Sequence, residues 1–148
     1  MFYKQFSKIS NSLNNDFIKK FDFWLATLPR HRQKNITISL VSGKFGVSYS
    51  EAEFILNFCE KEKILESYYL ITCPNDECNA IVRSDVSLKD RTNIIGKTEY
   101  CHVCDKENII LPENITIAYK RIKKPDVSDK EMENKILEKM TLNDESIN

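Results

Sequence analysis

Glycine is scarce in this chain, three in 148 residues. A dinucleotide fingerprint or a phosphate-cradling P-loop needs several glycines at fixed spacing, so there is almost no raw material for either. Only two histidines are present, His31 and His102. That disfavours histidine acid–base catalysis and three-histidine metal sites. His31 sits between Arg30 and Arg32 in a basic stretch, where a solvated role is expected. Paired carboxylates have no distinctive spacing and no nucleophile–base constellation is legible, so the chain does not read as an enzyme. Long apolar runs are missing too: none approaches the roughly 20 residues that span a bilayer. The first residues, MFYKQFSKISNS, are too polar for the apolar core of a signal peptide. The expectation is a cytoplasmic protein with no membrane association and reduced cysteines.

Net charge is also absent, with 22 basic residues against 22 acidic ones, but the sum conceals segregation. Residues 1–50 carry +6 and residues 113–125 carry +3. Residues 51–70 carry −3, residues 71–112 −2 and the tail 126–148 −4. A uniformly basic coat for nucleic acid is thereby excluded, whereas local basic patches are not.

What is present is enough to fold, since 41% of residues are hydrophobic. Phe2, Phe6 and Ile9 fall at near-helical spacing, which predicts a short helix or a docking arm. Asn15 and Asp16 are candidate caps for a helix through about Leu28, with Ile18, Phe21, Leu25 and Leu28 on one stripe. Phe17 and Trp24 widen that stripe, which is expected to be core, and Pro29 ends the helix. NITIS then offers a short strand or the lead-in to a helix around Leu40, Val41 and Phe45, broken by Gly46. Ser48 and Glu51 form a capping-box pattern, so a new helix starts at about Tyr49. Along it Ala52, Ile55, Leu56 and Cys59 mark the apolar face, with Cys59 a buried core thiol, and YYLIT over 68–72 reads as a strand.

Short helix, tight turn, capped longer helix and strand follow one another in GVSYSEAEFILNFCEKEKILESYYLI. Over roughly residues 13–72 this order resembles a winged-helix domain, which implies a helix-turn-helix with a β wing.

Four of the five cysteines fall into two close pairs, Cys73 with Cys78 and Cys101 with Cys104. A tetrahedral zinc ion needs four soft donors from two tight turns, and such pairs supply them. Candidate strands AIVRS, NIIGKTEY and the apolar end of DKENIIL flank the pairs in an order that resembles a zinc ribbon. One structural Zn2+ per chain is therefore expected on Cys73, Cys78, Cys101 and Cys104, closed to substrate and water. His102 replacing one thiolate, or a redox pair at Cys101 and Cys104, are the lesser alternatives. ENITIAYKRI alternates like a strand and is expected to return beside Tyr68–Thr72, making the ribbon an outgrowth of the wing hairpin. In the tail, Ser128 and Glu131 suggest another cap before a helix with Met132, Ile136 and Met140 on one face, and 141–148 is expected to be disordered.

The expected architecture is thus α+β: a winged helix-turn-helix lobe, a four-cysteine zinc ribbon extending from the wing, and a short C-terminal helix. Its segments are 1–72 for the helical and winged lobe, 73–112 for the ribbon, 113–125 for the returning strand and basic segment, and 126–148 for the tail. A winged helix followed by a zinc ribbon resembles the N-terminal part of the transcription factor E alpha subunit of archaea and eukaryotes. The resemblance covers residues 13–122, and the first knuckle, CPNDEC, departs from the two-residue spacing of that family. It implies a role within a protein–nucleic-acid machine.

Two functional readings follow. The favoured one is a non-catalytic adaptor or accessory subunit acting by protein–protein interaction, with Phe54, Phe58, Met132, Ile136 and Met140 as partner-facing candidates. Phe54 and Phe58 alternatively pack under the first long helix. The acidic helix around Glu51, Glu53, Glu60 and Glu62 suits a basic partner and would be repelled by a phosphate-lined groove, with Asn57 its only neutral amide. The alternative is nucleic-acid binding without sequence preference, through Arg30, Arg32, Lys34, Lys44, Lys120, Arg121, Lys123 and Lys124. A metal- or redox-responsive regulator is a third class.

Overall fold

The computed structural model describes residues 1–75, 77–127 and 129–147. Its helices and strands run in the order α1 (Asn15–Ala26), α2 (Ile38–Phe45), α3 (Tyr49–Lys61), β1 (Leu65–Thr72) and β2 (Ile81–Val86). There follow α4 (Arg91–Ile94), β3 (Thr98–Cys101), β4 (Lys106–Ile109), β5 (Ile115–Arg121) and α5 (Asp129–Ile147). The class is α+β. Among the described residues no helix is long and apolar enough to cross a membrane. The chain divides into two units: Met1–Leu28 with the chain from Lys124 onward, and Pro29–Lys123. These limits differ from the breaks expected after 72, 112 and 125. The reason is that α1 takes its cover from the N-terminal aromatics, and the cysteine-bearing segment stays with the strands that flank it.

In the first unit, α1 begins at Asn14, whose side chain accepts the Asp16 and Phe17 N–H groups at 2.8 and 3.3 Å. The cap thus lies just before the expected Asn15 and Asp16. The helix buries Phe17, Ile18, Phe21 and Leu25. Residues Lys4–Ile9 form a short 3-10 helix that drives Phe6 into the same core. Phe6 meets Phe21 edge-on with centroids 5.8 Å apart, and Tyr3 meets Phe6 edge-on at 6.0 Å. Such pairs add about 0.5–1.5 kcal/mol beyond the area they bury.

A buried carboxylate anchors this N-terminal segment. Asp22, on α1, accepts the Phe2 and Tyr3 N–H groups, both at 2.8 Å. Burial pushes its carboxyl above the usual range, against the pull of those two N–H groups. From the far end of the chain, Asp126 accepts the Lys4 N–H at 3.0 Å and donates its own N–H to the Phe2 carbonyl at 2.8 Å. Helix α5 lies in the same unit, with Lys135 over the Phe2 ring at 4.9 Å and Lys139 over the Phe23 ring at 4.0 Å. Its expected apolar face is only partly covered: Met132 and Ile136 are half-buried and Met140 is 59% exposed. The helix runs on to Ile147, into the segment where disorder was expected. Ser128, half of the expected cap with Glu131, lies outside the described residues.

The second unit holds the helix pair and both sheets. Thr37 caps α2 by accepting the Leu40 N–H at 3.1 Å, and Gly46 closes it at φ +63°, a conformation that favours glycine. The expected capping box opens α3: Ser48 accepts the Glu51 N–H at 3.1 Å and Glu51 accepts the Ser48 N–H at 3.3 Å. Ala52, Ile55, Leu56 and Cys59 are buried, as their spacing requires.

Strand β1 is the centre of a three-stranded antiparallel sheet, in the order β2-β1-β5. Strand β5 returns along its full length, from Leu65 opposite Arg121 to Ile71 opposite Ile115. Pairing with β2 is irregular, with Tyr69 opposite Val86 and Ile71 opposite Arg83, and Asp85 takes φ +57° at the irregularity. Beyond β5, Ile36 makes one bridge to Tyr119, so NITIS supplies both an extended residue and the lead-in to α2. Strand β1 is buried on both faces. On one, Tyr68 and Leu70 pack with Ala118. On the other, Ile71 packs with Val86, Ile94 and Ile110 from the inserted segment, with Tyr69, Val82 and Ile115 around them. Strands β3 and β4 form a separate hairpin, Thr98 opposite Ile109 and Cys101 opposite Lys106. The first part of NIIGKTEY is not strand: Ile94 ends the single turn of α4 and Gly96 takes φ +85°. Ile94 is thereby buried in the small core beside Ile71.

Asp22→Ala would leave two buried N–H groups unpaired, at about 1–3 kcal/mol for each group stranded. A urea titration followed by fluorescence of Trp24, the only tryptophan and part of α1, is expected to show a lower midpoint. An unchanged midpoint would mean that Asp22 does not hold the N-terminal segment.

Candidate metal centre

The two cysteine pairs reach one place from different elements. Cys73 follows the last residue of β1, Cys101 ends β3, and Cys78 and Cys104 close the two turns. All four sulfurs lie within 4.8 Å of one another. The contacts that link the pairs are 3.7 Å for Cys73 to Cys104 and 3.6 Å for Cys78 to Cys101. A disulfide needs about 2.05 Å. A tetrahedral zinc with bonds of about 2.3 Å sets its sulfurs about 3.8 Å apart. The cluster therefore has the size of a tetrathiolate metal site, and these four residues are able to hold a metal ion.

Backbone N–H groups reinforce the sulfurs. Asn75 donates to Cys73, Ala80 to Cys78, and Cys104 and Val103 to Cys101. Across the first turn, Cys73 donates its N–H to the Ala80 carbonyl at 2.7 Å and Cys78 donates its own to the Asn75 carbonyl at 2.9 Å. Burial pushes the Cys73 thiol up to about 12. At Cys101 the donated N–H groups of Cys104 and Val103 win over burial and bring the thiol down to about 7. Of these thiols Cys101 is the one drawn toward the thiolate, and a metal ion bound here would displace the thiol protons of the others.

Each turn ends in a left-handed residue directly after its second cysteine, Asn79 at φ +53° and Asp105 at φ +61°. Asn and Asp tolerate this conformation better than other side chains apart from glycine. Reading only the cysteine spacing misses both. Their signal was the Asn and Asp following each pair in a chain with almost no glycine. His102 is exposed, its ring edge-on to Tyr100 at 4.8 Å, and is not one of the clustered ligands. Cys59 is fully buried on α3, as expected.

The other candidate residues are scattered. Arg30, Arg32, Lys34 and Lys44 are exposed. Arg121 donates its N–H to the Gln33 carbonyl at 2.7 Å, which brings the 30–34 segment alongside the end of β5. Lys120 is engaged elsewhere, with Glu66 at 3.8 Å, Asp85 at 3.7 Å and the Tyr68 ring beneath it at 5.8 Å. Lys123 belongs to this unit and Lys124 to the other. On α3, Phe54 is 43% exposed and Phe58 half-buried. The acidic face is less free than its composition suggests, since Glu51 is held in the capping box and Glu60 accepts the Ser67 hydroxyl at 2.5 Å. Asn57 is occupied as well, accepting the Tyr119 hydroxyl at 2.9 Å.

Asn79→Gly is expected to leave metal binding unchanged, because glycine adopts positive φ freely. Asn79→Val is expected to weaken it about tenfold, since a β-branched residue there costs of order 1–2 kcal/mol. Competition against a chromogenic zinc chelator reads the difference, and equal affinities would show that the left-handed turn does not shape the site.

Comparison with known proteins finds no matching family model, no matching curated protein and no matching solved structure.

Proposed function

We propose that this chain is a non-catalytic, zinc-binding adaptor or accessory subunit that acts by protein–protein interaction in a larger complex. One structural zinc is held by Cys73, Cys78, Cys101 and Cys104. In this reading the second unit is a winged helix whose wing hairpin, β1 and β5, carries a zinc ribbon. The single observation behind it is the convergence of all four sulfurs within 4.8 Å, a ligand set that suits a structural zinc. When bound, zinc supplies a cross-link between the two turns and performs no reaction. A reducing, cytoplasmic setting belongs to the same reading, because it keeps four thiols available.

The chain's own residues do the rest. Capped α2 and α3 present a rigid surface that includes exposed Phe54 and Tyr49. The order of strand residue Ile36, helix pair and returning hairpin, with Ile36 bonded to the returning strand, supports the winged-helix arrangement. A resemblance to the transcription factor E alpha subunit would imply a setting beside nucleic acid. A second reading, contact with phosphates without sequence preference, is favoured by the bond that aligns the basic 30–34 segment with Arg121. Lys120, drawn to Glu66 and Asp85, counts against it.

Removing the metal with a chelator is expected to open the amides of residues 73–112 to hydrogen exchange while α2 and α3 stay protected. Cys101→Ser should act in the same way. Exchange left unchanged by chelation would contradict a structural metal. The two functional readings part on binding to random-sequence duplex and single-stranded DNA across a salt series. The adaptor reading expects no binding at low salt and co-purification of one stoichiometric protein. Affinity that falls steeply with salt would favour phosphate contact instead.

A further inference from the structure

The outer edge of β5 is paired at one end and open at the other. Tyr119 gives both its backbone groups to Ile36: the Ile36 N–H reaches the Tyr119 carbonyl at 3.0 Å and the Tyr119 N–H reaches the Ile36 carbonyl at 2.8 Å. In an antiparallel strand both groups of a residue turn to the same side, and residues two apart turn alike. Ile117 therefore points its N–H and carbonyl to that same outer edge. Among the described residues neither group has a partner. The cause lies in the chain opposite. It is extended only to Thr37 and turns into α2 at Ile38, so the strand that should cover Ile117 is missing. A groove of about 280 Å³ opens there, lined by Ile38, Tyr49, Ile115 and Ile117 with Thr37, Ser39 and Thr116.

An unpaired strand edge beside a groove is a template for an added strand. The volume falls short of the roughly 300–1,000 Å³ usual for a small-molecule pocket. The rim carries a chemical preference. Tyr49, 57% exposed, offers an aromatic surface, and exposed Glu53 follows one helical turn later. Glu53 and Glu60 put carboxylates on this side of α3, and after burial their charges help push the Tyr119 hydroxyl up to about 12. A lysine or arginine is attracted to both an aromatic face and a carboxylate.

We infer that the open edge of β5 at Ile117 takes an extended, lysine- or arginine-bearing segment of a partner protein as an added strand, its cationic side chain seated on Tyr49 beside Glu53. The added strand continues the line that Ile36 begins, and its carbonyl and N–H take up those of Ile117. This inference rests on the adaptor reading and names the partner's chemistry.

The test uses the full, metal-loaded chain and a phage-displayed library of random linear peptides as the probe. Peptides selected on the chain are expected to be enriched in Lys and Arg. In an isotope-labelled sample they should shift the amide signals of Thr37, Tyr49 and Ile117 and slow hydrogen exchange at Ile117. Ile117→Pro removes the outward N–H without touching the β1 ladder, a change that edge strands tolerate. It should weaken binding about tenfold, the worth of one hydrogen bond. Glu53→Lys, an exposed change on α3, should weaken it as well and shift selection away from cationic peptides. The inference is overturned if no peptide is selected, if the shifts map elsewhere, or if both variants, with far-UV CD unchanged, bind as the parent does. A stoichiometric partner that co-purifies with Ile117→Pro as well as with the parent would leave the adaptor reading standing and this inference refuted.

Discussion

Four sulfur atoms brought within 4.8 Å of one another tie two turns of the second unit to a single point. Burial holds the Cys73 thiol at about 12 while donated N–H groups hold Cys101 near 7, so the metal-free cluster is electrostatically uneven. A divalent cation at their centre would exchange thiol protons for four metal–sulfur bonds. Size favours such a cross-link. Among the described residues, the segment between the flanking strands buries only Val86, Ile94 and Ile110, with Cys73 and Cys101, as apolar side chains of its own. Segments of about 40 residues with so little core usually require a metal, a disulfide or a partner.

The insertion is not an independent bead. Ile71 of β1 belongs to its core, and Ile115 of β5 packs against the same cluster. Tyr68 and Leu70, their neighbours along β1, face the other way into the cluster with Ala118. Burial on both faces fixes the register of β1, because a one-residue slip would exchange the two sets. Polar bonds hold the rest in place: Ser67 to Glu60, Tyr119 to Asn57, and Tyr68 with Asn35, whose side chain accepts from the Tyr68 hydroxyl at 2.6 Å. Residues that look like exposed polar surface in sequence thus fix strands against α3 and against the chain that leads into α2. The edge of β5 remains open for a related reason, since the chain that would cover it is committed to α2.

What could be read from the sequence was whatever depends on residues close along the chain. The capping box at Ser48 and Glu51, the apolar spacing of α3, the alternation of β5 and the paired cysteines are all local patterns, and each has its counterpart in the structure. The cap of α1 was placed one residue late because three consecutive side chains, Asn14, Asn15 and Asp16, can all serve, and only backbone geometry selects Asn14. The turn of α4 was taken for strand because Ile94 and Ile95 are β-branched, a preference overridden by burying Ile94 against Ile71. The division into units was hidden because it depends on contacts such as Lys4 with Asp126, 122 residues apart. Which lysines are free was also illegible: Lys120 is indistinguishable in sequence from its basic neighbours, yet cross-strand Glu66 and the β2 irregularity at Asp85 capture it.

The central claim is that the four sulfurs hold one metal ion and thereby a fold. X-ray absorption at the zinc edge on purified protein tests it most directly. The account predicts zinc at one per chain with four sulfur neighbours at about 2.3 Å and no nitrogen or oxygen neighbour. A well-folded protein without metal, or zinc bound by fewer than four sulfurs, would contradict it.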